Sequence, residues 1–307
     1  METLYLTHPA CRLHDMGDWH PECPQRLDAI NDQMLASGLI NYVVAQEAGP
    51  ADRAALARAH DPAYVASILD GGPQEGTRML DPDTLQGPHT AQAALHAAGA
   101  GIAAVDAVMA GQAATAFCAV RPPGHHACRD RAMGFCFFNN VAVAAHHAMH
   151  YHGVKRIAVI DFDVHHGNGT EDIFAGDDRV LMCSFFQHPF YPNCGAEQVA
   201  GNMVNIPVPA YTAVSTIRKW VVDTWLPRLH EHRPELILVS AGFDAHREDD
   251  MGQLSLVEAD YVWLTEQIVD VADQHAGGRV VSMLEGGYNL SALGRSVVAH
   301  VRALAKL

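Results

Sequence analysis

The stretch RIAVIDFDVHHGNGT, residues 156–170, runs from four apolar residues, Ile157 to Ile160, straight into Asp161, Asp163, His165 and His166. An apolar run without polar alternation is the pattern of a strand buried on both faces, and such strands belong to parallel sheets covered by helices. The polar groups that follow are costly to bury unless they are paired. A buried strand ending in ionisable side chains therefore reads as a rigid arm. It presents a site at the C-terminal edge of the sheet, where open α/β folds place their ligands.

Four more runs repeat the pattern. AFCAV (116–120) leads into RPPGHH, VLMCSF (180–185) into an aromatic and proline loop, LILVSAG (236–242) into FDAH, and VVSMLEGG (280–287) into YNL. Helical patterns lie between them. Residues 89–111 are alanine-rich with two internal glycines, which predicts close packing at some cost in propensity. Asn140 is read as the N-cap of the next helix and Gly153 as its C-cap. Apolar spacings near three and four predict helices at 215–230 and 257–275. Residues 1–85 are less regular, with a loop over 8–25, and 70–88 are rich in turn residues. The expected fold is an α/β three-layer arrangement around a mostly parallel sheet, in one domain spanning residues 1–307.

Composition narrows the function. Twenty Lys+Arg against 35 Asp+Glu give a net charge of −15, which argues against a nucleic-acid partner and suits a cationic substrate or simple solubility. Seven cysteines, with no CxxC pair, point away from a disulfide framework and toward a reducing compartment. The N-terminus lacks a signal-peptide pattern and no apolar run reads as a membrane span, so a cytoplasmic protein without a membrane partner is expected.

Asp163 and His165 are two residues apart, so in an extended segment their side chains leave on the same side. Asp244 ends another apolar strand. One imidazole and two carboxylates leave room for water, the logic of a catalytic metal site; the set suits zinc best and is compatible with Fe²⁺, Co²⁺ or Mn²⁺. Any one of these carboxylates alone would be read as a helix cap; three ligands at strand ends form a site. His125 and His126 after Pro122, Pro123 and Gly124 offer a base. Asp161 and Asn168 are their natural orienting partners, one charged and one neutral. Tyr288, after Gly286 and Gly287, is placed to donate to a developing oxyanion.

Taken together, HPECPQR (20–26), RPPGHH, GFCFFNN, DFDVHHGNG, SAGFDAH and LEGGYN occur in an order that resembles the zinc-dependent histone deacetylase family. The likeness is to its class II-like bacterial members, which include acetylpolyamine amidohydrolases, and it runs over nearly the whole chain. The resemblance implies the arginase/deacetylase fold, with Asp163, His165 and Asp244 as ligands of one catalytic Zn²⁺. It also implies His126 as general base and acid, His125 as electrostatic support, and Tyr288 as the group polarising the amide. Asp161, Asp163, His165, Ser184 and Phe185 correspond to positions around a structural K⁺. Gly134, Phe135, Tyr191 and Gly286 would line the substrate channel. Asp81, with Asp83 near it, is expected at the rim, and Arg26 near a product exit.

The implied substrate is an acylated lysine peptide or a small acylated amine such as an acetylpolyamine, and a homo-oligomer is compatible with the family. Two rivals remain. A binuclear-manganese ureohydrolase of the same fold wants D-x-H-x-D, where this chain has Gly167 after Asp163 and His165. A non-catalytic binding protein for acylated ligands would have no reason to keep base, ligands and phenol together.

Overall fold

A computed structural model describes residues 2–307. The strands are β1 (Thr3–Thr7), β2 (Val44–Glu47), β3 (Arg78–Asp81), β4 (Thr84–Gln86), β5 (Thr115–Cys118), β6 (Ile157–Asp161), β7 (Val180–Gln187), β8 (Met203–Val208), β9 (Leu236–Ala241) and β10 (Val280–Leu284). Eight of them form one sheet in the order β2-β1-β5-β10-β9-β6-β7-β8, and each adjacent pair is parallel. β3 and β4 make a separate antiparallel hairpin.

Every residue of β5, β6, β7, β9 and β10 is buried, as their unbroken apolar runs require. Helices cover both faces, giving three α/β/α layers. The helix Thr90–Met109 packs on Asn140–Tyr151, and the helices Gln25–Ala36, Leu290–Leu304 and Glu258–His275 pack in succession. Thr90–Met109 has the length and apolarity of a membrane span, but 67% of its most apolar window is buried against the rest of the molecule. Its internal Gly99 answers a close approach: a Cβ there would sit 2.0 Å from the carbonyl oxygen of Gly49.

Three local expectations differ from the structure. The cap of Asn140–Tyr151 is Asn139, whose side chain accepts a 3.0 Å bond from the Ala142 amide, while Asn140 is the first helical residue. His152 is the C-cap, and Gly153, at φ 66°, follows it in the left-handed position. The expected helix at 215–230 is interrupted by a wide π turn at Val221–Trp225, just before Pro227, whose ring cannot accept a regular preceding turn.

The sheet order matters for function. β5, β10, β9 and β6 are neighbours, and all four open their C-terminal ends on the same side. The loops bearing His125 and His126, Tyr288, Asp244, and Asp163 with His165 therefore meet above one edge.

Candidate active site

Beyond β6 the main chain is held by its own carboxylates. Asp161 Oδ1 accepts from the Asp163 amide at 3.1 Å, and Asp163 Oδ1 accepts from the His165 amide at 2.9 Å. Asp244 Oδ1 reaches across from the β9 loop to accept from the Val164 amide at 2.9 Å, and Asp163 Oδ2 accepts from the Gly286 amide at 2.8 Å. These bonds bring Asp163, His165 and Asp244 together, with one potential ligand atom from each lying within 4.8 Å of the others. His165 Nδ1 is 3.0 Å from Asp163 Oδ1 and 3.2 Å from Asp244 Oδ2. His166 turns the other way, toward Glu171.

The cluster fits a divalent cation. All three side chains are buried, and burial together with the neighbouring Asp163 charge pushes the Asp244 carboxyl up to about 7. A cation would relieve that repulsion, and one nitrogen with two oxygens is a donor set for zinc. The space is kept open by Gly286, where a Cβ would stand 2.0 Å from Asp244 Oδ2 and 2.6 Å from Asp163 Oδ2.

The two histidines differ in environment. His125 Nδ1 lies 3.0 Å from Asp161 Oδ2, and His126 Nδ1 lies 2.8 Å from Asn168 Oδ1. Burial opposes charge on His125, but Asp161, Asp163 and Glu285 outweigh it and raise its pKa to about 10. His126 is pushed well below the ordinary histidine value by burial, then by His125 and His165. The Asn168 amide nitrogen faces the sulfurs of Cys128 and Met133, so its oxygen takes the Nδ1–H of His126 and leaves Nε2 as an acceptor. The main chain below the pair rests on Glu285, which accepts from the Gly124 amide at 2.6 Å, the His125 amide at 3.1 Å and the Ser240 hydroxyl at 3.0 Å. Glu285 was not singled out from the sequence, although it stands beside the glycines of LEGGYN.

A cavity of 280 Å³ opens onto these groups, lined by Asp83, His126, Gly134, Phe135, His165, Phe190, Tyr191, Met251 and Tyr288. Gly134 (φ 55°) and Phe135 (φ 68°) are both left-handed, and a Cβ on Gly134 would strike the His126 ring at 2.3 Å. The strained Phe135 backbone is fixed by its amide donating to Thr84 Oγ1 at 3.0 Å. Tyr191 meets His126 edge to face at 5.3 Å, and Phe135 meets Tyr288 likewise at 5.8 Å. Burial first, then Asp244, raises the Tyr288 phenol well above its ordinary pKa, so it remains a proton donor.

Several residues fall elsewhere than expected. Asp83 rather than Asp81 reaches the cavity, because Asp81 ends β3 and Asp83 sits in the turn. Arg26 is an interior residue, fully buried: it donates to the carbonyl oxygens of Gly287 and Glu285 at 2.7 and 2.5 Å, and its guanidinium lies 5.0 Å from the centre of the Tyr288 ring. Gly286 sits beneath the ligand cluster, not in the channel wall. Two wall residues were missed. Phe190 stacks on His165 at 5.4 Å, and its only sequence signal is its place beside Tyr191; Met251 follows Asp244 by seven residues in no recognisable motif. Asp161 pairs in register with Ser184, whose buried hydroxyl has no hydrogen-bond partner among the described residues, while the Phe185 ring stacks on Trp225.

The histone deacetylase domain family matches residues 20–304. A histone deacetylase-like amidohydrolase of Pseudomonas aeruginosa is 39% identical over 88% of this chain and 73% of its own length. The polyamine deacetylase HDAC10 of Mus musculus is 37% identical over 95% of this chain, which spans 46% of that protein. The crystal structure of the HDA15 HD domain superposes with a TM-score of 0.92 at 32% identity, covering 99% of this chain and 88% of the other.

Proposed function

The chain belongs to the histone deacetylase family, and we propose that it uses one Zn²⁺ to hydrolyse acetyl or other short acyl groups from amines on unbranched alkyl chains. Acyl-lysine side chains and small acylated amines such as acetylpolyamines are the substrate class. The observation that carries this reading is the meeting, on one aromatic-walled cavity, of the Asp163, His165 and Asp244 cluster with a neutral His126 and a protonated Tyr288.

Asp163, His165 and Asp244 would hold the Zn²⁺, which would supply Lewis acidity to the acyl carbonyl and to water. His126 Nε2 takes a proton from the water that attacks the carbonyl carbon. Asn168 holds the ring by Nδ1 and leaves Nε2 facing the cavity. Tyr288 Oη donates to the carbonyl oxygen as negative charge grows there. His126 then returns its proton to the departing nitrogen as the C–N bond breaks, leaving a free amine and a carboxylate. His125, held cationic by Asp161, biases His126 against early protonation. Phe135, Phe190 and Tyr191 grip methylenes and exclude water.

A K⁺ is assigned to the neighbourhood of Asp161, Asp163, His165, Ser184 and Phe185, partly through main-chain oxygens. The Ser184 hydroxyl, without a hydrogen-bond partner among the described residues and in register with Asp161, supports it. A binuclear site would want a second carboxylate at Ala245 or His246 in SAGFDAH; His246 is buried there with Nε2 facing Glu258 at 3.6 Å, away from such a role.

Initial rates of zinc-loaded protein on an acetyl-lysine peptide and on N-acetylputrescine, measured in parallel, test the substrate class. Turnover of either supports the proposal, and their ratio ranks the two substrates. Turnover of neither, with other short acyl groups also refused, overturns it in favour of a binding protein.

A further inference from the structure

The carboxylate of Asp249 joins two walls of the cavity, at Tyr288 and at Met251. It is 4% exposed. One oxygen, Oδ2, accepts from the amides of Tyr288 at 2.6 Å and Asn289 at 2.9 Å; the other, Oδ1, accepts from the amide of Met251 at 3.0 Å. Three N–H donors and no acceptor surround it in these contacts, which only a carboxylate satisfies without leaving a buried polar group unmatched. The same two loops are tied again where the Asn289 side-chain nitrogen donates to the Glu248 carbonyl oxygen at 2.9 Å and the Phe243 amide to the Gly286 carbonyl oxygen at 2.9 Å. Asn289 also caps the helix Leu290–Leu304, so the carboxylate stands at that helix's N-terminus, where negative charge is favoured.

Among the described residues the Tyr288 hydroxyl makes no hydrogen bond; the ring is flanked by the Arg26 guanidinium at 5.0 Å and by the Phe135 ring, edge to face, at 5.8 Å. Its backbone must therefore be fixed by the loop itself, after two glycines that supply little restraint. We propose that Asp249 is a positioning residue: by binding the amides of Tyr288 and Met251 with opposite oxygens, it sets the place of the oxyanion donor and locks it to the cavity wall at Met251. The proposal rests on the role given above to Tyr288.

The test is a double-mutant cycle on zinc-loaded protein, with kcat and KM for an acetyl-lysine peptide and with metal content measured for each variant. Asp249→Asn keeps the size of the side chain but turns an NH₂ toward one set of amides. We expect a fall in kcat on the order of 10- to 100-fold, a smaller change in KM, unchanged zinc content, and little further loss when the substitution is made in Tyr288→Phe. Asp249→Glu, which keeps the charge and displaces the loop by one methylene, is read in the same cycle should the Asn variant fold poorly. An equal fold-loss with and without the Tyr288 hydroxyl overturns the positioning role alone. A Tyr288→Phe variant with unaltered kcat overturns the Tyr288 reading and this proposal with it.

Discussion

Asn168 Oδ1 accepts the Nδ1 hydrogen of His126 at 2.8 Å, whereas one residue earlier His125 is held by the carboxylate of Asp161. A neutral partner leaves His126 the weaker base of the two, and burial with two nearby imidazoles lowers it further. Replacing Asn168 by Asp puts a negative charge at that contact and raises the His126 pKa. Because the base works unprotonated, the acid limb of the kcat/KM profile should move to higher pH. Activity near pH 6.5 should fall more than activity near pH 8.5. A profile that keeps its acid limb in Asn168→Asp would assign that limb to another group.

The family, the fold class and most of the converging residues were legible because each lies in a short motif at the end of an apolar strand. Asp163 and His165 follow β6 directly, and Tyr288 follows β10 by four residues. What escaped lies where local pattern carries no such mark. β2 is an exposed edge strand, its position set by register with β1 rather than by its own VAQE sequence. Phe190 and Met251 become wall residues only through loop placement, and Asp249 and Glu285 act through backbone amides distant in sequence. Asn140 and Asn139 are indistinguishable as caps until the chain direction entering the helix is known.

Gly286 is required by the close approach of the ligand carboxylates to its backbone. In Gly286→Ala the new methyl group would overlap Asp244 Oδ2 and crowd Asp163 Oδ2. The purified variant should keep its far-ultraviolet circular dichroism yet retain well under one equivalent of zinc by elemental analysis. Full zinc occupancy would contradict the placement of the metal there.

Phe190 should grip the substrate rather than take part in proton transfer. Removing its ring costs about 1 kcal/mol of contact with the alkyl chain, so Phe190→Ala should raise KM roughly fivefold to tenfold and leave kcat within about twofold. A loss confined to kcat would instead place its importance in the stacking on His165.

Stability should fall in mild acid for reasons outside the cavity. His60 and His300 are buried neutral, with pKa values lowered by burial to about 4 and about 3. Above about pH 6.5 both folded and unfolded chains carry these rings neutral. Below it only the unfolded chain takes up the protons, so stability drops as pH falls from about 6.5 toward the folded values, by up to about 1.4 kcal/mol per histidine per pH unit. His300 bridges the hydroxyls of Thr265 at 2.6 Å and Ser282 at 2.8 Å. In His300→Asn, urea unfolding at pH 7.5 and 5.0 should show a smaller loss between the two pH values than in the parent protein. An equal loss would mean His300 does not carry its share.

Acetate release from an acetyl-lysine peptide by the zinc-loaded protein, compared with its Tyr288→Phe variant, tests the central claim most directly. The account predicts steady turnover by the parent and a kcat lower by about 10²- to 10³-fold in the variant, the usual effect of losing one oxyanion donor, with KM little changed. Equal rates for the two proteins would contradict it.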